Sequence, residues 1–452
     1  MRIIVVGCGK IGTTVIANLV AEGHDVVAVD RSVESLSAVT EVYDVMGLVG
    51  NGADYDTLLE AGIEDCELFV AVTGSDEMNM LSCFVAKKMG AAHTIARIRN
   101  PGHSDQSISF MSSQLDLSMS LNPDLLAAQE ASMVLRLPSA SKVETFSRRN
   151  FEMIELVLKE DSSIAGLSLI ELRKKYSTNY LIGAVQRGED VFIPDGSFVL
   201  REGDRIGITA SHTEVQRLLK MLGLTQKSAK NIMIVGGSRT AYYLAKQLIS
   251  DGSSVKIVER ERDVCESLCE LLPEADIIFG DGAQNEVLLE EGLRSMDAFV
   301  TLTGMDEENI LLSYFASNEG VPKVMSKVNR DEFIYMANKL GIDSIISPRR
   351  AVADVVVRYA RALQNTIGSG VETLYKLMDG KAEALEFTAS NDCKLLNIPI
   401  KDLHIKKNTL LAGIIRRRTP KIPSGIDMIC PGDKVIVLTA GSRINDLEDI
   451  IE

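Results

Sequence analysis

The sequence predicts an α/β fold built as two tandem repeats, each a Rossmann-like doubly wound parallel sheet followed by a small α+β C-terminal domain. Three features of the chain point to it. The stretch from Gly50 to Asn79 aligns without gaps on the stretch from Gly280 to Asn309, so one unit is written twice. In the first repeat the apolar, β-branched runs IIVVG, DVVAVD and LFVAVT alternate with helical stretches, as strands of a parallel sheet buried on both faces do. Further on, FEMIELVL, YLIGAVQR, DVFIP and DRIGITA are short strands broken by Gly, Pro and Asp, the texture of a smaller mixed domain.

Taken in order, the first strand runs into Gly7-Cys8-Gly9-Lys10-Ile11-Gly12, which opens a helix over 11–22. Alone this spacing is weak evidence; between a strand and a helix it marks a dinucleotide-type loop. Gly7 permits the tight turn, Gly9 lets the backbone approach a pyrophosphate, and Gly12 lets helix and strand pack closely. The unpaired N–H groups at the helix start then face phosphate. The second strand ends at Asp30, whose carboxylate accepts hydrogen bonds from both ribose hydroxyls and repels a 2′-phosphate. NAD(H), ATP or ADP is therefore favoured over NADP, although Arg31 softens that exclusion. Asn51-Gly52-Ala53 and Thr73-Gly74 fall at the carboxyl ends of later strands, beside helices at 54–61 and 76–89. Arg97 and Arg99, on IARIR, are either phosphate contacts or solvated strand-end arginines.

Asn122 and Pro123 sit at cap and first-turn positions of a connecting helix over 122–136, matched in the second repeat by SPRRAVADVVVRYARAL. The small domain follows from about Phe151 to Ala210, with one helix near Leu169 to Tyr176. Leu224 to Lys230 reads as the linker between repeats, and the glycines of 368–370 join the second Rossmann-type unit to its own small domain. The expected domains are 1–137, 138–223, 231–367 and 368–452. The second glycine loop is altered: in Gly236-Gly237-Ser238-Arg239-Thr240-Ala241, Ser238 replaces Gly9 and Ala241 replaces Gly12. Glu259 keeps the ribose carboxylate, and Asp281 stands where the first repeat has Asn51. A weaker site, or one for a different ligand, is expected there.

Composition narrows the function. The chain has 452 residues and a net charge of -15, which opposes sequence-independent binding to nucleic acid or to anionic lipid. No apolar run approaches the roughly 20 residues that cross a bilayer, and a glycine loop interrupts what a signal peptide would keep apolar. Seven cysteines without a CxxC pair fit a reducing cytoplasm; Cys265 and Cys269, one helical turn apart, read as small core residues. A nicotinamide-dependent oxidoreductase, the rival reading, needs an acid or base beside the ring. The five histidines, His24, His93, His103, His212 and His404, all read as surface groups. There is no GxxxxGK[ST] loop for ATP hydrolysis, and neither a winged helix nor a basic surface for a DNA-binding repressor.

The glycine loop, GNGADYDTLLEAGIEDCELFVAVTGSDEMNMLSCFVAKKMG, IARIRNP and the later IGAVQRGEDVFIPDGSFVLREGD together resemble the regulator-of-potassium-conductance modules. Two such modules in one chain are similar to the cytosolic regulatory subunits of the Trk potassium-uptake system. The resemblance implies a non-enzymatic, nucleotide-binding subunit and a transmembrane potassium-translocating partner. It also implies a homotetrameric gating ring, peripheral at the inner face of the cell membrane, with no lipid insertion. Asn51 departs from the family's usual Asp, which Asp281 keeps, and the second loop is degraded.

Overall fold

The computed structural model describes residues 1–99, 105–146, 151–159, 162–176, 178–224, 228–342, 344–365, 371–417, 419–441 and 444–452. The first repeat runs β1 (Arg2–Val6), α1 (Lys10–Ala21), β2 (Asp25–Asp30), α2 (Val33–Thr40), β3 (Met46–Val49), α3 (Tyr55–Glu60), β4 (Leu68–Ala71), α4 (Asp76–Lys88), β5 (His93–Arg97), α5 (Asp105–Gln114), β6 (Met119–Leu121) and α6 (Pro123–Arg136). Its strands pair in parallel in the order β3-β2-β1-β4-β5-β6. The strand order therefore reverses between β1 and β4, and the crevice at their carboxyl ends is where such sheets hold ligands.

Local chemistry explains the helices that frame this crevice. In α1, Gly12, Val15, Ile16 and Leu19 recur at helical spacing and are the buried face. The helix stops at Gly23, which takes φ +75° and donates its N–H to Val20 O, a left-handed close that favours glycine. In α6, the Asn122 side chain accepts from the N–H groups of Asp124 and Leu125, with Pro123 in the first turn.

A five-stranded antiparallel sheet follows, from β7 (Lys142–Phe146), β8 (Phe151–Val157), α7 (Leu169–Lys175), β9 (Tyr180–Arg187), β10 (Asp190–Phe192) and β11 (Arg205–Ser211), closed by α8 (His212–Met221). Its order is β10-β9-β11-β8-β7. β7 and α8 flank the strands read between Phe151 and Ala210, and both fall within 138–223. The second repeat copies the first: β12 (Asn231–Val235), α9 (Arg239–Ser250), β13 (Ser254–Glu259), α10 (Arg262–Leu271), β14 (Asp276–Phe279), α11 (Asn285–Glu290), β15 (Ala298–Thr301), α12 (Asp306–Asn318), β16 (Lys323–Lys327), α13 (Asp331–Lys339), β17 (Ile345–Ile346) and α14 (Pro348–Asn365). Its small domain holds β18 (Val371–Leu377), β19 (Ala382–Thr388), β20 (Thr409–Arg416), β21 (Thr419–Lys421) and β22 (Lys434–Ala440), paired in the order β18-β19-β22-β20-β21. Residues 225–227 of the linker, and the glycines of 368–370, lie outside the described residues.

The connecting helices exchange partners. Ala127, Ala128 and Ala131 of α6 share a buried cluster with Ala241, Leu244 and Ala245 of α9, in the other repeat. Val352, Ala353, Val356 and Ala360 of α14 share one with Val15, Ile16 and Leu19 of α1. Small side chains at both crossings let the helices approach closely. Arg361 of α14 locks this crossing, its Nε 2.7 Å from Glu22 at the end of α1 and its Nη2 3.0 Å from Glu383 on β19. The two small domains stack their sheets face to face through Phe146, Phe151, Met153, Ala384 and Leu438. Gly183 and Gly413 make that stacking possible: a Cβ on Gly183 would lie 2.1 Å from Leu438 Cδ1, and one on Gly413 2.4 Å from Phe151 Cε1. Gly203-Asp204 and Gly432-Asp433 stand at matching places in the two small domains and have a matching structural use, as Asp204 takes Arg187 through two hydrogen bonds of 2.8 Å and Asp433 takes Arg416 through bonds of 2.9 and 2.7 Å.

Two expectations are corrected. His24 is buried at 6% exposure, drawn inward by the turn at Gly23, and His93 on β5 is half-buried with its Nδ1 3.1 Å from Tyr359 Oη of α14. Cys265 is buried as expected, but Cys269, one turn further along α10, is exposed. His103 lies outside the described residues.

Candidate functional site

The carboxyl ends of β1, β2 and β4 open into a cleft of about 830 Å³, within the size range of small-molecule sites. Gly7 takes φ +101°, and a Cβ there would lie 2.9 Å from Thr73 N, so only glycine fits the turn. A Cβ on Gly12 would lie 1.7 Å from Gly7 O, which fixes how closely α1 packs beneath the loop. Gly9 is different: a Cβ there meets nothing within 4 Å. It caps α1 without a side-chain hydrogen bond, so the helix start faces open space with its N–H groups unclaimed by any capping side chain.

Asp30 organises the loop. Its Oδ2 accepts the Cys8 N–H at 2.6 Å and its Oδ1 accepts the Ser32 N–H at 2.8 Å. Each carboxylate oxygen keeps lone-pair capacity for a further donor. Burial, reinforced by the Asp30 charge, pushes the Cys8 thiol up to about 12, so it remains protonated and is no nucleophile. Asn51 turns its own loop by accepting the Ala53 N–H at 3.2 Å, and the Thr73 N–H and hydroxyl both donate to Asn79 Oδ1 at 2.7 Å.

The cleft is cationic in a chain that is acidic overall. Lys10, Arg31, Arg97, Arg99, Arg239 and Arg349 line it against Asp30 and Asp124. Arg97 is held by its Nη1 on Val72 O at 3.3 Å, while its buried Nε finds no partner among the described residues. Burial, with help from Arg99, pushes this guanidinium down to about 10, which leaves it a cation at neutral pH. Arg99 is fastened to Asp76 at 3.1 Å. The side chains of Lys10, Arg31, Arg239 and Arg349 make no hydrogen bond or ion pair among the described residues. An open helix start, an orphaned guanidinium nitrogen and four uncommitted cations fit a ligand carrying several phosphate charges.

Part of the lining belongs to the other repeat, since Arg239, Asn329, Pro348 and Arg349 all line the same cleft. The exchange of α6 and α14 brings them there. Thr240 Oγ1, next to Arg239, donates to Asp124 Oδ1 at 2.7 Å and pins α9 to the start of α6. Of the residues singled out in the sequence, Gly7, Gly9, Lys10, Ile11, Asp30, Arg31, Asn51, Gly52, Thr73, Gly74 and Arg97 come together here. Cys8, Gly12 and Ala53 lie behind the lining and shape it. Arg239, read in the sequence with the second loop, faces this first cleft. Asp124, Asn329 and Arg349 were not singled out; the helix-start signals at Asn122-Pro123 and Ser347-Pro348 lie beside Asp124 and Arg349.

The second cleft, of about 320 Å³, holds Gly236, Ser238, Glu259 and Asp281. Glu259 repeats the Asp30 arrangement, accepting the N–H groups of Gly237 and Glu261 at 2.5 and 2.8 Å. The Ser238 hydroxyl takes the Ala241 N–H at 3.4 Å, so this helix start is capped from within. Lys327, at the place of Arg97, donates to Leu302 O at 3.1 Å, and burial lowers its pKa. Glu259, Glu261, Asp281 and Glu308 face Arg260 alone among the lining charges, so phosphate is disfavoured.

Fold and first cleft together define a tandem Rossmann-type protein with an anion-suited cleft at the joint of its repeats. The TrkA-N domain matches residues 3–109 and 232–348, and the TrkA-C domain matches 153–223 and 384–452. The chain is 32% identical to the Trk system potassium uptake protein TrkA homolog of Archaeoglobus fulgidus over all of both chains. It is 28% identical to the Trk system potassium uptake protein TrkA of Vibrio alginolyticus over 100% of this chain and 99% of that one. Among solved structures, the GsuK channel bound to NAD shares the fold at a TM-score of 0.62 and 15% identity, covering 97% of this chain and 77% of that one. GsuK bound to ADP aligns at 0.51 and 13% identity, over 81% and 69%. The chain belongs to the TrkA family of tandem TrkA-N and TrkA-C domains.

Proposed function

We propose that this protein is a nucleotide-binding regulatory subunit that gates a Trk-type potassium-uptake transporter. The first cleft holds NAD(H), ATP or ADP, with the ribose on Asp30 and the phosphates before Gly9 and the start of α1. The observation that carries this reading is that residues of both repeats line one cleft. A ligand there contacts both Rossmann units at once, so it binds one arrangement of the two better than another, and that difference is what moves a conformational equilibrium. A preference of about 1–3 kcal/mol shifts it roughly 5- to 150-fold. The family relationship supplies the destination of the signal, a membrane-spanning potassium-translocating subunit. Among the described residues no helix is long and apolar enough to cross a membrane, in keeping with action through such a partner.

The protein acts without catalysis. This reading assigns no acid–base chemistry to the first cleft and gives its charged lining, Lys10, Asp30 and Asp124 included, to holding the ligand. Titration of ATP, ADP, NAD and NADH by calorimetry tests the reading. Wild-type protein binds at least one of them, and Asp30→Ala weakens it by about 1.5–3 kcal/mol, the worth of hydrogen bonds to a charged group. Unchanged affinity in Asp30→Ala would place the ligand elsewhere.

A further inference from the structure

The net charge of -15 is not spread over the chain. Residues 33–60, from α2 through β3 to the end of α3, hold six acidic side chains and no basic one, and residues 263–291, the matching stretch of the second repeat, hold nine and none. These two stretches account for the whole net charge, and the remainder of the chain is balanced. All the carboxylates of the first stretch are exposed, as are those of the second apart from Asp281 and Glu291. Of them all, only Glu291 is in an ion pair among the described residues, with Lys256 at 2.7 Å.

Both stretches surround an open sheet edge. Among the described residues β3 pairs only with β2, and β14 only with β13. Edge strands are ordinarily blunted by a Lys, a Pro or a bulge. Met46–Val49 and Asp276–Phe279 carry none of these. Large apolar side chains stand exposed along them instead, Val42, Met46, Val49 and Tyr55 in the first repeat and Leu271 and Phe279 in the second. The Arg262 guanidinium carbon lies 5.0 Å from the centre of the Phe279 ring, so this edge already receives a cation from its own chain.

Charge and apolar surface together select the partner. Lys and Arg bring an apolar stem and a cationic head, which suit exposed apolar side chains set among free carboxylates. The cytoplasmic loops of membrane proteins carry an excess of both. The same carboxylates repel anionic lipid and nucleic acid, and two copies of the chain meeting through one edge would set like charges face to face.

We propose that the β3 and β14 edges are the docking strips for Lys- and Arg-rich cytosolic segments of the membrane partner, the carboxylates drawing those segments in and the apolar side chains seating them. The assignment rests on the regulatory-subunit reading. It places the contact next to the ligand, since β3 runs directly into Gly50, Asn51 and Gly52 of the first cleft and β14 into Asp281 and Gly282 of the second.

Biolayer interferometry of the full-length chain tests it, against nanodiscs of zwitterionic lipid that are empty or hold the potassium-translocating subunit encoded in the same genome. One variant neutralises the first edge (Glu41→Gln, Asp44→Asn, Glu60→Gln) and another the second (Glu270→Gln, Glu274→Gln, Asp276→Asn). A control removes the same charge elsewhere on the surface (Asp190→Asn, Glu202→Gln, Asp392→Asn). Wild type binds the loaded nanodiscs, and less tightly as salt rises from about 0.05 to 0.5 M. Each edge variant binds about 3- to 100-fold more weakly at low salt while keeping the melting temperature and nucleotide affinity of wild type, and the control stays within about twofold. Wild-type affinity in both edge variants, or an equal loss in the control, overturns the assignment and leaves the partner standing. Loss in one edge variant alone confines docking to that edge and overturns it for the other. A wild type that binds loaded and empty nanodiscs alike, or neither, removes the partner and the docking strips with it.

Discussion

At the scale of single residues, the first glycine loop separates two jobs that its spacing alone does not distinguish. Gly7 and Gly12 are demanded by the fold, because a side chain at either meets backbone. Gly9 is spared by the fold, because a side chain there meets empty space. Gly9→Asp therefore folds with a melting temperature close to wild type yet loses nucleotide binding, since a carboxylate enters the space held for phosphate with both bulk and like charge. Thermal unfolding and calorimetry on one preparation check it; retained affinity would show that phosphate does not sit before the loop. Asp30 was legible from its position at the end of the second strand, and so was the altered character of Ser238. The place of Arg349 in the first cleft was not legible, because it follows from the packing of α14 against the other repeat, which no local pattern announces.

At the scale of elements, strands and helices could be read where apolar runs and caps are local. The α6 start at Asn122-Pro123 matched, because the cap and the first-turn proline need no tertiary partner. The exchange of α6 and α14 between repeats was not readable from periodicity, which shows that a helix has an apolar face but not whose sheet covers it. That exchange also buries charge. Glu130 on α6 faces Lys142 and Glu144 of β7 and Asp354 and Arg358 of α14, and burial pushes its carboxyl up to about 7 from an ordinary value of 4.5. A carboxyl whose pKa is higher in the folded chain binds its proton more tightly there, so its contribution declines as pH rises from about 4.5 through 7 and is flat above. Glu130→Gln, neutral at every pH, should flatten the fall in melting temperature between pH 5 and pH 8 and match or exceed wild type at pH 8. Identical slopes in the two proteins would contradict the burial of this group.

At the scale of the whole molecule, duplication has made two unlike sites from one unit. The first cleft draws cations from both repeats; the second caps its own helix and gathers carboxylates. Stacked small domains and exchanged helices make the chain a closed pair of modules, and we propose that such pairs assemble into a ring. Light scattering should give four chains per particle, and a monomer at micromolar concentration would contradict the ring. The central claim is that nucleotide in the first cleft controls potassium movement through a membrane partner. Potassium flux through the partner reconstituted in liposomes, with this protein and each nucleotide added in turn, tests it most directly. Flux should change with the nucleotide supplied, and the change should vanish with Gly9→Asp; flux indifferent to the protein under every nucleotide, or an equal response from Gly9→Asp, would contradict it.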